Sequence, residues 1–479
     1  MVFSSITFIV FFCIVASVMA ITRLSFLRRK FENHSLRKFR HLFLLAASYV
    51  FYGWWDWRFC FLMFALTVVA YVSAKKIEEE KSVKLFKFIG TVVPLVVLGI
   101  FKYFNFFVDS FCDLFGIAGY TTLNIILPVG ISFYTFQSMS YTIDVIRKQI
   151  PRSDFVEVAL YIAFFPQLVA GPIVKAQDFI PQLKEDRNIS LKNMEVGLQI
   201  FLMGLFKKIV IADQLSLFVD QVFEKPAAFH SITVILAVIA YSIQIYFDFS
   251  GYSDMAIGSA KCLGYDFNRN FNIPYISKNV SEFWKRWHIS LSTWLQEYLY
   301  IPLGGNRKGK VRTYINLLAT MVIGGLWHGA SWNFVLWGAL HGTALCIHKM
   351  FKATRKNSKY SRIGALISIV ATYIFVCVCW VPFRSTDIST TFEIIKRMFV
   401  WHNGIVHIYF WVVIAIAVVV LGTLTAVAKA KKQGERVVMG FYPIFNLEKF
   451  SSLVLLFVFM GIILIFAYTN SNPFIYFQF

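Results

Sequence analysis

GGLWHGASWNFVLWGALHG runs from Gly324 to Gly342 and sets one histidine, His328, near the start of a stretch of apolar, aromatic and small residues. Its flanks decide how it folds. Before it, residues 251–313 are basic and broken by Gly and Pro. After it, 349–362 carries Lys349, Lys352, Arg355, Lys356, Lys359 and Arg362. Both flanks read as lying on the same, cytoplasmic, side of a membrane, so the 34 residues of 314–347 must leave and return. Two full crossings plus a turn need more residues than that, at about 1.5 Å of rise per residue through a hydrocarbon layer of about 30 Å. The expectation is a re-entrant hairpin of two short helices meeting at depth in GGLWHGASW. Such a break is tolerated only where it is buried in protein or lines a cavity.

The rest of the chain has the composition this needs. Of its 479 residues, 58% are hydrophobic and only 15% charged. Apolar runs of bilayer length recur, without the alternation of a membrane barrel. The predicted spans are 3–22, 41–54, 57–73, 88–107, 123–145, 194–222, 231–250, 363–382, 405–428 and 452–470, and 155–173 is a further apolar stretch of a different kind. The fold class is all-α: a polytopic integral membrane protein of about ten spans plus re-entrant helices around a central cavity. No long linker or solenoid repeat divides it, so 1–479 reads as a single membrane domain, with 251–313 a cytoplasmic or interfacial loop.

The net charge of +21 suggests nucleic acid until its distribution is examined. Segments assigned to the cytoplasm hold 39 of the 47 Lys and Arg, and segments assigned outside hold five. That is the positive-inside asymmetry, with contact to anionic lipid as its other use. The net charge is accounted for without a nucleic-acid partner. The first span lacks a basic n-region and is followed by Arg23, Arg28, Arg29 and Lys30, so it reads as uncleaved with its N-terminus outside. Trp54, Trp55 and Trp57 suit an interfacial aromatic belt. The seven cysteines show no metal spacing and read as small buried hydrophobes.

Ionisable groups within a membrane tend to be functional. Desolvation favours a neutral imidazole, which can accept a hydroxyl proton. His328 is therefore the candidate general base, weighed against a packed histidine bonded to a carbonyl. Its neighbouring glycines allow close approach, and Trp327 and Trp332 would wall the site. A second candidate, His288, lies in SEFWKRWHISLSTWLQEYLYIPLGGNRKGK, 281–310. Trp284, Trp287, His288, Leu291 and Leu295 share one face of an amphipathic helix expected along the membrane surface. His288 is either a snorkelling interfacial residue or a second site histidine that positions a donor or acceptor, with Trp287 beside it. His341 and His348 lack neighbouring ligands for zinc and read as packing or interfacial residues. Asp144, Asp248 and Asp254 are expected to pair with loop cations, and Lys207 and Lys208 to snorkel inward. GGNRKGKV falls short of a nucleotide-binding loop, since Val311 stands where the hydroxyl that holds magnesium belongs. No GxSxG elbow occurs.

Six blocks together resemble a known family: PVGISFYTFQSMSYTIDV (128–145), FFPQLVAGPIV (164–174), IYFDFSGYSDMAIG (245–258), EFWKRWHISLSTWLQEYLYIPLGGNR (282–307), the block 324–342 and the terminal PFIYFQF (473–479). They are similar to the membrane-bound O-acyltransferases, in particular the bacterial branch typified by the membrane subunit of alginate O-acetylation. The resemblance covers nearly the whole chain. It implies acyl transfer from a thioester to a hydroxyl, with the family's intramembrane histidine at His328 and its second histidine at His288, and that transfer needs donors for a tetrahedral oxyanion, for which Asn333 or a Trp indole is the candidate. It implies acetyl-CoA as donor without a metal, a polysaccharide acceptor, and a periplasmic or extracellular serine-esterase-like partner, in a bacterial cytoplasmic membrane. Two alternatives stay open. One is D-alanyl or other acyl transfer from a carrier protein to a cell-wall polymer. The other is a non-catalytic transporter of an acyl group or glycolipid, for which no internal repeat is found.

Overall fold

In the computed structural model the described residues are 1–22, 32–117, 119–185, 187, 190–354, 361–433 and 445–467, with side chains described throughout these except at 352–354 and 423–433. Arg23, Arg28, Arg29, Lys30, Arg355, Lys356, Lys359 and the terminal PFIYFQF lie outside them. Among the described residues the regular structure is helical, apart from an isolated bridge between Phe229 and Ile405. The chain forms two compact units: Met1–Met203 with Tyr252–Asn268, and Gly204–Gly251 with Arg269–Phe479.

The first unit opens with α1 (Ile6–Ile21), capped by Ser5, whose hydroxyl accepts from the Phe8 amide. Helices α2 (Asn33–Asp56) and α3 (Arg58–Glu78) meet at Trp57, so GWWDWR is a hinge between two long helices. The expected span 88–107 is part of a longer helix, α4 (Val83–Phe115). The expected span 123–145 is helical only in its second half, α5 (Ile131–Ile146). The apolar stretch 155–173 is broken and buried. It holds α6 (Phe155–Ala163), started by a reciprocal Asp154–Glu157 capping box, and the single turn α7 (Phe165–Leu168), with Pro166 near its start. Helix α8 (Ala176–Lys184) follows.

Helix α9 (Leu191–Leu205) continues through a π turn, Phe206–Ala212, into α10 (Asp213–Glu224). Helix α11 (Ser231–Cys262) corrects the sequence reading, because 251–262 is helix and not loop. Its small residues are a packing face. A methyl on Gly251 would overlap the Gly204 carbonyl, and one on Gly258 would overlap the Gly197 carbonyl. Glycine here lets backbones touch rather than breaking the helix.

The second unit also holds α12 (Val280–Trp284), α13 (Ile289–Leu295), α14 (Lys310–His328), α15 (Trp332–Thr354), α16 (Arg362–Arg384), α17 (Ile388–Phe399), α18 (Phe410–Gln433) and α19 (Phe450–Ala467). The single amphipathic helix expected within 281–295 is two short helices with His288 at the break. Its apolar face does not lie along a surface: Trp287, His288, Leu291 and Leu295 are buried. The two helices of the hairpin are longer than 314–347, reaching Lys310 and Thr354 in the flanks. Among the described residues α3, α4, α11, α16 and α19 are long and apolar enough to cross a membrane. The chain is a multi-pass helical membrane protein.

Candidate active site

The glycines of the opening stretch hold α14 against α15. A methyl on Gly325 would overlap the Phe334 carbonyl, one on Gly338 the Met321 carbonyl, and one on Gly329 the Phe334 ring. Only hydrogen side chains permit this approach. It carries His328, the last residue of α14, into the interior with 4% of its surface exposed. The imidazole meets three rings steeply inclined to it. Trp327 lies 4.9 Å away at 77°, Trp337 of α15 5.1 Å away at 85°, and Phe383 of α16 5.2 Å away at 69°, between centroids. Such edge-to-face contacts fix a ring's orientation as well as burying it.

His288 enters from the segment between α11 and α14. It is fully buried, and its backbone is left-handed at φ 43°, an uncommon conformation for a residue with a side chain. The segment 270–272 grips it. The Ile289 amide donates to the Asn270 carbonyl at 2.8 Å, and the Asn272 amide donates to the Arg286 carbonyl at 2.9 Å. The Arg286 guanidinium donates to the Asn272 carbonyl at 3.1 Å and is held by Glu282 at 2.9 Å. Phe249 of α11 stands perpendicular to the His288 ring at 4.6 Å. The centroids of His288 and His328 are 6.4 Å apart, with Trp327 6.1 Å from His288. Burial pushes His288 down to about 3, so the ring is neutral.

The structure sorts the remaining candidates. His328, His288 and Trp327 come together. Trp287 is a layer behind them, 4.8 Å from Trp380, which packs 5.3 Å from Phe383. Trp332, at the start of α15, is 57% exposed. Asn333 is buried but committed elsewhere: its amide nitrogen donates to the Ser385 carbonyl at 2.9 Å and its oxygen accepts from Thr391 at 3.2 Å. It ties α15 to α16 and α17. His341 is a packed residue, accepting at Nδ1 from the Trp284 indole at 3.3 Å, with Trp337 at 5.0 Å.

Asn270, Phe249, Trp337 and Phe383 were not singled out from the sequence. Trp337 had a signal, since it lies one helical turn before His341 on the same face. Asn270 had none, because its role needs a tertiary contact.

A buried ion cluster is the other correction. Lys208 does not snorkel. Its Nζ lies 2.8 Å from Asp213 and 2.8 Å from Asp248, with each of the three side chains 4% exposed. Asp248 pairs with a lysine of the π turn rather than with a loop cation. It directly precedes Phe249, the ring against His288.

An all-helical membrane fold holding two buried histidines side by side, their rings tilted by 54° among indoles, defines a class, and the sequence agrees with it. Residues 145–385 match the membrane-bound O-acyltransferase family, and the chain belongs to that family. It is therefore an enzyme of O-acyl transfer. It is 44% identical to a probable alginate O-acetylase of Azotobacter vinelandii over 76% of this chain and 73% of that one. It is 38% identical to a peptidoglycan O-acetyltransferase of Helicobacter pylori over 77% and 75%. A teichoic acid D-alanyltransferase of Bacillus subtilis is 26% identical over 53% of this chain and 68% of its own.

Proposed function

We propose that the chain is an O-acetyltransferase of the bacterial cytoplasmic membrane, oriented with its N-terminus outside. It takes acetyl groups from acetyl-CoA and passes them across the membrane for O-acetylation of a cell-surface or exported polysaccharide. The observation that carries the reading is the convergence of His288 and His328, far apart in sequence, on one aromatic-walled point. The names of the relatives support an acetyl group and a glycan acceptor. The basic segment 269–313 supports entry of an anionic donor from the cytoplasmic side, and a serine-esterase-like protein outside is the expected recipient.

A thioester is already activated, so the protein supplies orientation and proton management. As the acceptor hydroxyl oxygen bonds to the acetyl carbon, His328 takes its proton. The tetrahedral centre then collapses, the carbon–sulfur bond breaks, and the imidazolium returns the proton to the departing thiolate. The test uses purified protein in lipid vesicles with acetyl-labelled coenzyme A. His328→Ala and His328→Gln are expected to lower transfer to water, glycan or partner protein by roughly 100- to 10,000-fold. Undiminished transfer by folded, inserted His328→Gln refutes the reading. Transfer from a D-alanyl carrier protein but not from acetyl-CoA replaces the donor with that of the teichoic acid branch.

A further inference from the structure

One hydrogen-bond cluster beside the site determines which nitrogen of His288 carries the proton. Asn270 Oδ1 accepts from the backbone amide of Ser290 at 3.3 Å and from the Ser290 hydroxyl at 2.9 Å. A backbone amide only donates, so the Asn270 atom facing it is the oxygen and not the amide nitrogen. The same atom lies 3.1 Å from His288 Nδ1. An amide oxygen only accepts, so His288 Nδ1 is the N–H of this neutral ring. Nε2 is then left with its lone pair, buried and with no hydrogen-bond partner among the described residues. A buried acceptor without a partner is costly, and it marks a place where a donor is expected.

The position of that lone pair gives it a use. His288 and His328 are too far apart to bond directly. Their centroids are 6.4 Å apart. Subtracting about 1.1 Å for each ring leaves the nearest nitrogens about 4 Å or more apart, beyond hydrogen-bond range but open to one bridging polar atom. A hydroxyl that enters between the rings would find in His288 Nε2 an acceptor without a partner among the described residues.

We infer that Asn270 is a positioning residue that locks His288 in the Nδ1–H tautomer, so that Nε2 serves as the hydrogen-bond acceptor for a hydroxyl or a protonated partner in acyl transfer. The left-handed backbone at His288 fits this. The Asn270 carbonyl takes the Ile289 amide, so one asparagine fixes both the turn and the ring, and the strained conformation is over-determined by its surroundings. The inference rests on the proposal that His288 takes part in transfer. The groups facing His288 are Phe249 from α11, Trp327 and His328 from α14, and Asn270 and Ser290 from its own segment. His328 is the titratable member of this set.

The test uses the full chain in lipid and two readouts. In protein labelled with ¹⁵N-histidine, the His288 signals are assigned by their loss in His288→Gln. Wild type is expected to show a pyrrole-like Nδ1 and a pyridine-like Nε2, and Asn270→Ala to populate the opposite tautomer. A pyrrole-like Nε2 in wild type, or an unchanged pattern in Asn270→Ala, overturns the inference without any activity measurement.

The second readout is the pH dependence of acyl transfer. Asn270→Asp keeps the acceptor oxygen but places a carboxylate on Nδ1–H, which favours imidazolium. The acid limb of kcat is expected to rise by one pH unit or more, with near wild-type kcat on the alkaline side and less than a threefold change in KM. Asn270→Ala is expected to lose 10- to 100-fold in kcat. An acid limb that does not move in active Asn270→Asp overturns the inference. Full activity in His288→Gln refutes the participation of His288 itself, a failure distinguishable from the wrong tautomer.

Discussion

Replacing Lys208 with Met is expected to be among the most damaging single changes in the second unit. The lysine stands 2.8 Å from each of two carboxylates, all three side chains being 4% exposed. At an effective dielectric of about 20, each contact is worth about 6 kcal/mol of Coulomb attraction. Desolvation of the three ions costs several kcal/mol each, so the intact cluster contributes little net stability. Removing one member is different. Methionine fills the space of the lysine stem but leaves Asp213 and Asp248 buried without their counter-charge. Breaking a buried pair in this way costs about 3–5 kcal/mol. Removing all three charges, in Lys208→Met with Asp213→Leu and Asp248→Leu, removes the desolvation cost as well and is expected to recover most of the loss. Equilibrium unfolding of purified protein in mixed micelles, followed by tryptophan fluorescence, measures both. A single variant within 1 kcal/mol of wild type, or a triple variant no more stable than the single, refutes the reasoning.

Two further outcomes follow from the site. His288 is held near 3, below the roughly 6.5 of an unfolded histidine, so the native state binds fewer protons than the unfolded state in acid. Its contribution is fully present above pH 6.5 and is lost as pH falls. About 2 kcal/mol should disappear between pH 7 and 5, and His288→Asn, which tolerates the left-handed backbone, should flatten that part of the unfolding-midpoint profile. Gly338→Ala would press a methyl onto the Met321 carbonyl, a rigid atom, and is expected to cost about 1–3 kcal/mol and most of the acyl transfer. Gly461→Ala in α19, with open space around it, should leave both within error in the same assays.

Much of this was legible in the sequence, and for identifiable reasons. Apolar runs announce helices because only helices satisfy their own backbone in lipid, and a lone imidazole in GGLWHGASW is costly enough to be informative. What failed, failed on context. SGYSDMAIG looks like loop composition, yet its glycines meet other backbones and α11 continues through it. The period of Trp284, Trp287, His288 and Leu291 is helical, yet Asn270 captures the 289 and 290 amides and breaks the helix at His288. Lys208 looked able to snorkel, because nothing local reveals that Asp248, forty residues on, is its partner.

Both histidines are set by the side chains packed around them. Trp327, Trp337 and Phe383 pack on His328 with their rings steeply inclined to the imidazole. His288 is oriented by the oxygen of Asn270, which also sets its proton. Changing Asn270 is expected to alter the acid–base state of His288 with little displacement of its ring. Every residue concerned, from Phe249 through Asn270 and the α14–α15 turn to Phe383, belongs to the second unit. The histidine pair is thus set by packing within one compact body. Its geometry follows from glycine contacts between α14 and α15 and from one asparagine, rather than from the spacing of residues 288 and 328 along the chain.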